Sequence, residues 1–168
     1  MPKKKNIIVK MEPQTVKLFA VVLQKLKPPP PLTISQWADK YRVLSSESSA
    51  EPGRWHTDKA PYQRAIMDAI GDPHVREVVV MSAAQLGKTD AFILNVLAYY
   101  MDYAPAPIMC MQPTLDMGQT LSKDRISPML RDTPRLKGLV DVKSRFAGNT
   151  VMKKNFIGGH ITIVGANS

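Results

Sequence analysis

The stretch "VREVVVMSAAQLGKTDAFILNVLAYY", residues 75–100, decides the fold class. Residues 75–81, "VREVVVM", are a β-branched run and read as a strand buried on both faces. The run "KTDAFILNVLAYYMDY" is long and largely apolar, and reads as a helix. Between them stand Ser82, Ala83, Ala84, Gln85, Leu86, Gly87, Lys88 and Thr89. Their spacing is that of G-x-x-x-x-G-K-[ST], with Ser82 at the first glycine. Such a loop aims backbone N–H groups and a helix N-terminus at an anion. Gly87 permits close approach of the backbone to phosphate. Lys88 neutralises phosphate charge, and the Thr89 hydroxyl is a magnesium ligand. The competing reading is an ordinary strand–turn–helix connection with a surface lysine. The strand before and the helix after favour the phosphate loop.

Working upstream, "APYQRAIMDAI" places an aromatic–Gln pair ahead of the loop. Tyr62 offers a stacking face, and Gln63 a donor and an acceptor to a base edge. With the loop, this pair favours ATP over GTP. Its helix carries Ile66, Met67 and Ile70 at helical spacing and stops at Gly71. Before it, "SSESSAEPGRWHTDKAP" reads as loop. "TISQWADKYRVL" reads as a helix capped by Thr33 or Ser35, with Trp37 and Tyr41 on one face. "KPPPPL" is a stiff spacer, because four prolines cannot continue a helix. It divides a basic arm with a short docking helix, residues 1–31, from the main unit, residues 32–168.

Downstream, "APIMCMQP" reads as a second buried strand, and "TLDMGQTLSKDRISPMLRD" as a polar helix capped by Thr114 or Asp116. "NTVMKKNFIGG" and "HITIVGANS" read as two strands joined by a Gly-Gly turn. Strands alternating with helices make this an α/β chain with a parallel sheet and flanking helices. Ligands bind such sheets at the carboxyl ends of strands, where the loop stands.

Composition narrows the classes. Hydrophobic residues are 44% of the 168, enough for a core. The apolar runs are too short to span a bilayer, and the start lacks a secretory signal. The single Cys110 excludes an internal disulfide or a multi-Cys zinc site, and reads as a buried free thiol in a cytoplasmic protein. The net charge of +9 is uneven: +6 in residues 1–31, −3 in 32–120 and +6 in 121–168. Two basic ends of this kind fit a polyanion partner.

Taken together, "GRWHTDKAPYQRAIMDAI", "VREVVVMSAAQLGKTD", "QPTLDMG", "RISPMLRDTPRLKGL" and "ITIVGANS" resemble, in order, the large subunit of tailed-phage terminases of the lambda-like type. The resemblance covers residues 32–168. It implies an additional-strand P-loop NTPase fold, related to helicases, in an ATP-driven motor that packages viral DNA into procapsids. ATP and Mg²⁺ are the implied cofactors. Double-stranded DNA, a small terminase subunit, the procapsid portal and further copies of the chain are the implied partners, in the cytoplasm of a bacterial host. No membrane is implied.

By the same resemblance, Tyr62 and Gln63 contact adenine. Residues 82–89 form a deviant Walker A loop, with Lys88 catalytic and Thr89 on the metal. Gln112 and Thr114 are weaker candidates for coupling to DNA. Some relatives carry an arginine inside the loop, where this chain has Ala83, Ala84 and Gln85. Arg125 and Arg131 are alternative finger candidates. The acidic catalytic pair and the nuclease carboxylates of the family have no counterpart in these residues. The chain is therefore expected to be an amino-terminal ATPase portion, incomplete at its carboxyl end. The alternatives are a helicase-like nucleic-acid ATPase completed by another chain, and a non-enzymatic module binding DNA or the small subunit.

Overall fold

The structure is a computed structural model that describes residues 32–140 and 149–167, together with Gln14 and Phe19. The chain divides into two units, residues 1–31 and 32–168. In the first, Gln14 and Phe19 are helical and exposed. The basic arm, docking helix and proline spacer otherwise lie outside the described residues.

Helix α1, Ile34–Tyr41, begins where local chemistry places it. The Thr33 hydroxyl accepts from Gln36 N, and Gln36 Oε1 accepts from Thr33 N. This reciprocal capping box satisfies two otherwise orphaned donors. The Trp37 and Tyr41 rings meet at 6.0 Å on one face. Trp37 is fully buried and donates its indole N–H to Asp102 Oδ2 at 2.9 Å.

A minimal hairpin follows, β1 (Val43–Leu44) against β2 (Gly53–Arg54), then a 3₁₀ turn at Thr57–Lys59. The expectation of plain loop is corrected here. Trp55, between β2 and the turn, is buried, and its indole N–H donates to Thr57 Oγ1. Helix α2, Tyr62–Gly71, buries Gln63 and Met67. A π-helical turn, Thr89–Leu94, runs into α3, Asn95–Asp102. Leu94, Leu97, Ala98 and Met101 of this segment join Ile34, Trp37 and Met67 in the core.

Strand β3, Ile108–Gln112, precedes α4 (Leu115–Thr120), a π-helical turn (Leu121–Ile126) and α5 (Ser127–Asp132). Strands β4 (Lys153–Phe156) and β5 (Gly159–Gly165) complete the sheet. Its order is β3-β5-β4. Strands β3 and β5 are parallel, from Ile108↔Ile161 to Gln112↔Gly165. Strands β4 and β5 form the expected antiparallel hairpin, but its turn is Ile157-Gly158 rather than the Gly-Gly pair, since Gly159 already pairs with Phe156 in β5. The protein is thus a mixed helix and strand fold around a small mixed sheet, not an all-parallel one.

Two strand expectations change. Residues 75–81 form no ladder among the described residues, and Val79 and Met81 are 82% and 98% exposed. β-Branched side chains favour an extended backbone, but a strand exists only through pairing. Strand β3 pairs with β5 on one side and is an edge of the sheet on the other, where residues 75–81 make no ladder with it. Strand β3 itself is half-buried on one face only, leaving Met109 and Met111 exposed on the other. Cys110 is a free thiol on the opposite side, half-buried rather than buried. Desolvation raises its pKa, against a small lowering from the Gln112 amide. Less thiolate is therefore present at a given pH. Iodoacetamide labelling at pH 8 is expected to be several-fold slower than for a free cysteine, and to reach the free-thiol rate in urea. Equal rates in both conditions would contradict the burial.

No helix among the described residues is long and apolar enough to cross a membrane.

Candidate nucleotide site

Loop 82–88 has a specific backbone. Gln85 and Gly87 both lie in the left-handed region, at φ 60° and 72°. Alternation of right- and left-handed residues turns successive N–H groups toward a common centre, an anion-binding concavity. A left-handed glutamine is uncommon, because its Cβ crowds the backbone. Gly87 sits there without that penalty. Lys88 folds back over the loop, its Nζ donating to Ser82 O at 3.2 Å and Ala83 O at 2.8 Å. The helix starts at once behind it, with Ala91 N donating to Gly87 O at 2.9 Å.

The start of α2 clamps this loop from the side. Tyr62 Oη and Gln63 Nε2 both donate to Leu86 O, at 3.2 and 2.8 Å. The Tyr62 ring stays half exposed, whereas Gln63 is buried and its Oε1 has no hydrogen-bond partner. A Cβ on Gly87 would stand 3.0 Å from Gln63 Nε2. Gly87→Ala therefore meets two costs, a left-handed backbone and the displaced clamp. The expected loss is about 1–3 kcal/mol in a urea melt, with loosened nucleotide binding. A variant as stable as the parent would show that the loop does not hold this conformation.

An open cavity of about 350 Å³ adjoins the clamp. Tyr62, Gln63, Gly87 and Asp90 line it with Trp55 and His56. At its rim Lys59 pairs with Glu51.

Beneath the loop lies an ion network that sequence reading missed. Asp90, directly after Thr89, lies 3.5 Å from Arg42 and 3.8 Å from Arg125. The Arg42 side chain is almost completely buried. Its Nη1 donates to Val43 O and, at 3.4 Å, to Thr133 Oγ1, while its Nε has no partner. Burial lowers the guanidinium pKa to about 10, against the opposing pull of Asp90 and Asp132. Only the position of Asp90 in the first turn of the helix hinted at this role, since 48 residues separate it from Arg42.

The finger candidates part ways. Arg125 reaches Asp90 and donates to Ser48 O beside the cavity. Arg131 is spent on Asp132 and Glu47, whose hydrogen bonds raise its pKa well above the ordinary value. Gln112 and Thr114 do not join the loop by any hydrogen bond among the described residues. Gln112 Nε2 donates to Met111 O, and Thr114 caps α4 by accepting from Met117 N at 3.2 Å. No cluster of three or more His, Cys, Asp or Glu able to hold a metal occurs among the described residues. Thr89, half-buried at the helix start, remains the candidate ligand on the loop.

Residues 49–168 match the family model described as the phage terminase large subunit gpA, ATPase domain. The chain belongs to this family. Among its relatives is the terminase large subunit of Escherichia phage lambda, 34% identical over 138 residues, which are 82% of this chain and 21% of that protein. Another is the terminase large subunit of Enterobacteria phage P21, 35% identical over 142 residues, 84% of this chain and 22% of that one. The chain spans about a fifth of the length of these terminase relatives. No solved structure matches it significantly. The match begins inside the loop after β1 and takes in the clamp, loop 82–89 and the three-stranded sheet.

Proposed function

We propose that this terminase-family chain forms the ATP-binding portion of the motor that drives viral DNA into procapsids, within a P-loop fold. The observation that carries this is the loop conformation. Two left-handed residues are set in a motif with the phosphate-loop spacing and pinned at Leu86 by Tyr62 and Gln63. The fit to a nucleotide is chemical as well as spatial. The concavity supplies N–H donors, Lys88 a mobile cation, and Thr89 a hydroxyl for Mg²⁺, which needs few protein ligands when phosphates supply the rest. The exposed ring of Tyr62 offers a stacking face, and the Gln63 amide, whose Oε1 is buried without a partner, would meet an adenine edge by turning toward the cavity it lines.

The bound Mg²⁺–nucleotide would supply the phosphoryl group that the motor spends. Residues of this chain hold and orient it. Lys88 would move from the Ser82 and Ala83 carbonyls to the phosphates, and the loop N–H groups would compensate their charge. Double-stranded DNA, the small terminase subunit, the portal and further copies of the chain are the partners this reading entails.

Titration of the chain with a fluorescent ATP analogue, in the presence of Mg²⁺, tests the reading. Saturable binding displaced by ATP more readily than by GTP is expected. Failure to bind, or equal displacement by both, would overturn the ATP assignment.

A further inference from the structure

Arg54, at the end of β2, lines the nucleotide cavity and also a second one of about 510 Å³. The second is walled by Lys40, Tyr41, Val43, Arg54, Pro134 and Arg135. Three of these six are cations and none is acidic. Lys40 Nζ lies 5.1 Å from the centroid of the Tyr41 ring, and Arg135 Cζ lies 5.3 Å from the same centroid. One tyrosine thus holds two cations through its π-face. Arg54 Nη2 donates to Asp39 O and Lys40 O at 3.5 and 3.2 Å, which brings the third cation to the same helix end.

Each cation has a local role. Lys40 complements the C-terminus of α1. Arg54 satisfies carbonyls at that end. Arg135 pairs through Nε with Asp102 at 2.9 Å. Those roles do not account for the convergence. Like charges around one ring repel, and the balancing carboxylate of Asp102, 6% exposed, is packed into the core with Trp37. Among the described residues Lys40 has no ion-pair partner. The surplus charge therefore faces the cavity, with Lys40 and Arg54 coming from the segment whose net charge is −3 and Arg135 from the basic segment 121–168.

We propose that this cavity is a contact site for the phosphodiester backbone of double-stranded DNA, one side chain away from the nucleotide pocket. The proposal rests on the DNA-packaging reading for its choice of DNA among polyanions. Lysine and arginine at such a site neutralise phosphates and release counterions, so binding weakens steeply with salt. Arg54, shared by both cavities, is the wall through which the two sites meet.

The test is fluorescence anisotropy of a labelled random-sequence duplex with the full chain over a salt series. It compares the parent, Lys40→Glu, and the double variant Lys40→Ala/Arg135→Gln. The basic residues 1–31 add a background common to all three. Each lost phosphate contact lowers the log–log salt slope by about 0.9, so the double variant is expected to lose about 2 from the slope and roughly tenfold or more in affinity at ~0.1 M salt. Lys40 is exposed, so Lys40→Glu is expected to melt only slightly below the parent, through the reversed charge at the helix end, while also losing DNA affinity. Binding of the fluorescent ATP analogue is expected to stay unchanged in both. Unchanged DNA affinity and slope in both variants would overturn the proposal. So would competition by inorganic phosphate as effective, per phosphate, as that by unlabelled duplex. A parent chain that binds ATP but not DNA would overturn it while leaving the nucleotide reading intact. A parent chain that binds DNA but not the ATP analogue would instead count against the nucleotide reading.

Discussion

Lys88→Ala is expected to reduce ATP-analogue binding at least tenfold without lowering the melting temperature. In the free chain the Lys88 ammonium holds only two carbonyls of its own loop, Ser82 O and Ala83 O, at the surface. Exposed hydrogen bonds of this kind contribute about 1 kcal/mol or less to stability. Charge-assisted contacts to nucleotide phosphates are stronger, roughly twice a neutral hydrogen bond. Removing the ammonium leaves phosphate charge facing the loop with backbone dipoles alone, and a loss of about 1.4 kcal/mol already means tenfold in affinity. Lys88→Arg keeps the charge but brings a planar, bulkier head group into the same fold-back, so partial recovery at most is expected. The measurement is the analogue titration paired with a thermal melt. Retained binding in Lys88→Ala would remove the lysine from the site. A lowered melting temperature would show that it is a structural strut.

Asp90→Ala is expected to destabilise the fold by about 3 kcal/mol, because it leaves a buried guanidinium without its carboxylate. Arg42 is almost wholly buried and its pKa already falls to about 10 through desolvation, so its charge is held at a cost. Arg42→Met removes that charge together with its desolvation penalty, while Asp90 keeps Arg125 at 3.8 Å. It is expected to cost less than Asp90→Ala. Urea melts of the two variants compare them directly, and the reverse order would refute the account. The pH dependence has a definite sign. A base whose folded pKa lies below its unfolded value binds fewer protons when folded, so from about pH 10 up to the higher unfolded value stability gains from Arg42 as pH rises. In Arg42→Met that contribution is absent.

Much of the secondary structure was legible because it follows from neighbours in the chain. Thr33 and Gln36 are three residues apart, and their capping box forms whenever the helix does. Thr114 caps α4 by the same rule, and Gly158, at φ 87°, lets Ile157-Gly158 turn β4 into β5. Residues 75–81 were misread for the opposite reason. Their β-branched side chains favour an extended backbone, but pairing is non-local, and among the described residues no strand pairs with them, the sheet being β3-β5-β4 with β3 at its edge. In the candidate site, the loop and its lysine were readable from spacing. The double donation of Tyr62 and Gln63 to Leu86 O was not, since a propensity for packing or base contact names no acceptor 23 or 24 residues away.

By itself, then, the sequence determined what short-range chemistry controls: helix ends, the hairpin turn, the motif spacing and the glycine that tolerates φ 72°. The matched family follows from the same linear order of motifs. Only the tertiary structure decided which distant groups share a volume. It set Arg42 against Asp90 beneath the loop, and gathered Lys40, Arg54 and Arg135 around Tyr41. The physical reason is that burial and charge pairing act through space, where the separation of two residues along the chain has no bearing on the force between them.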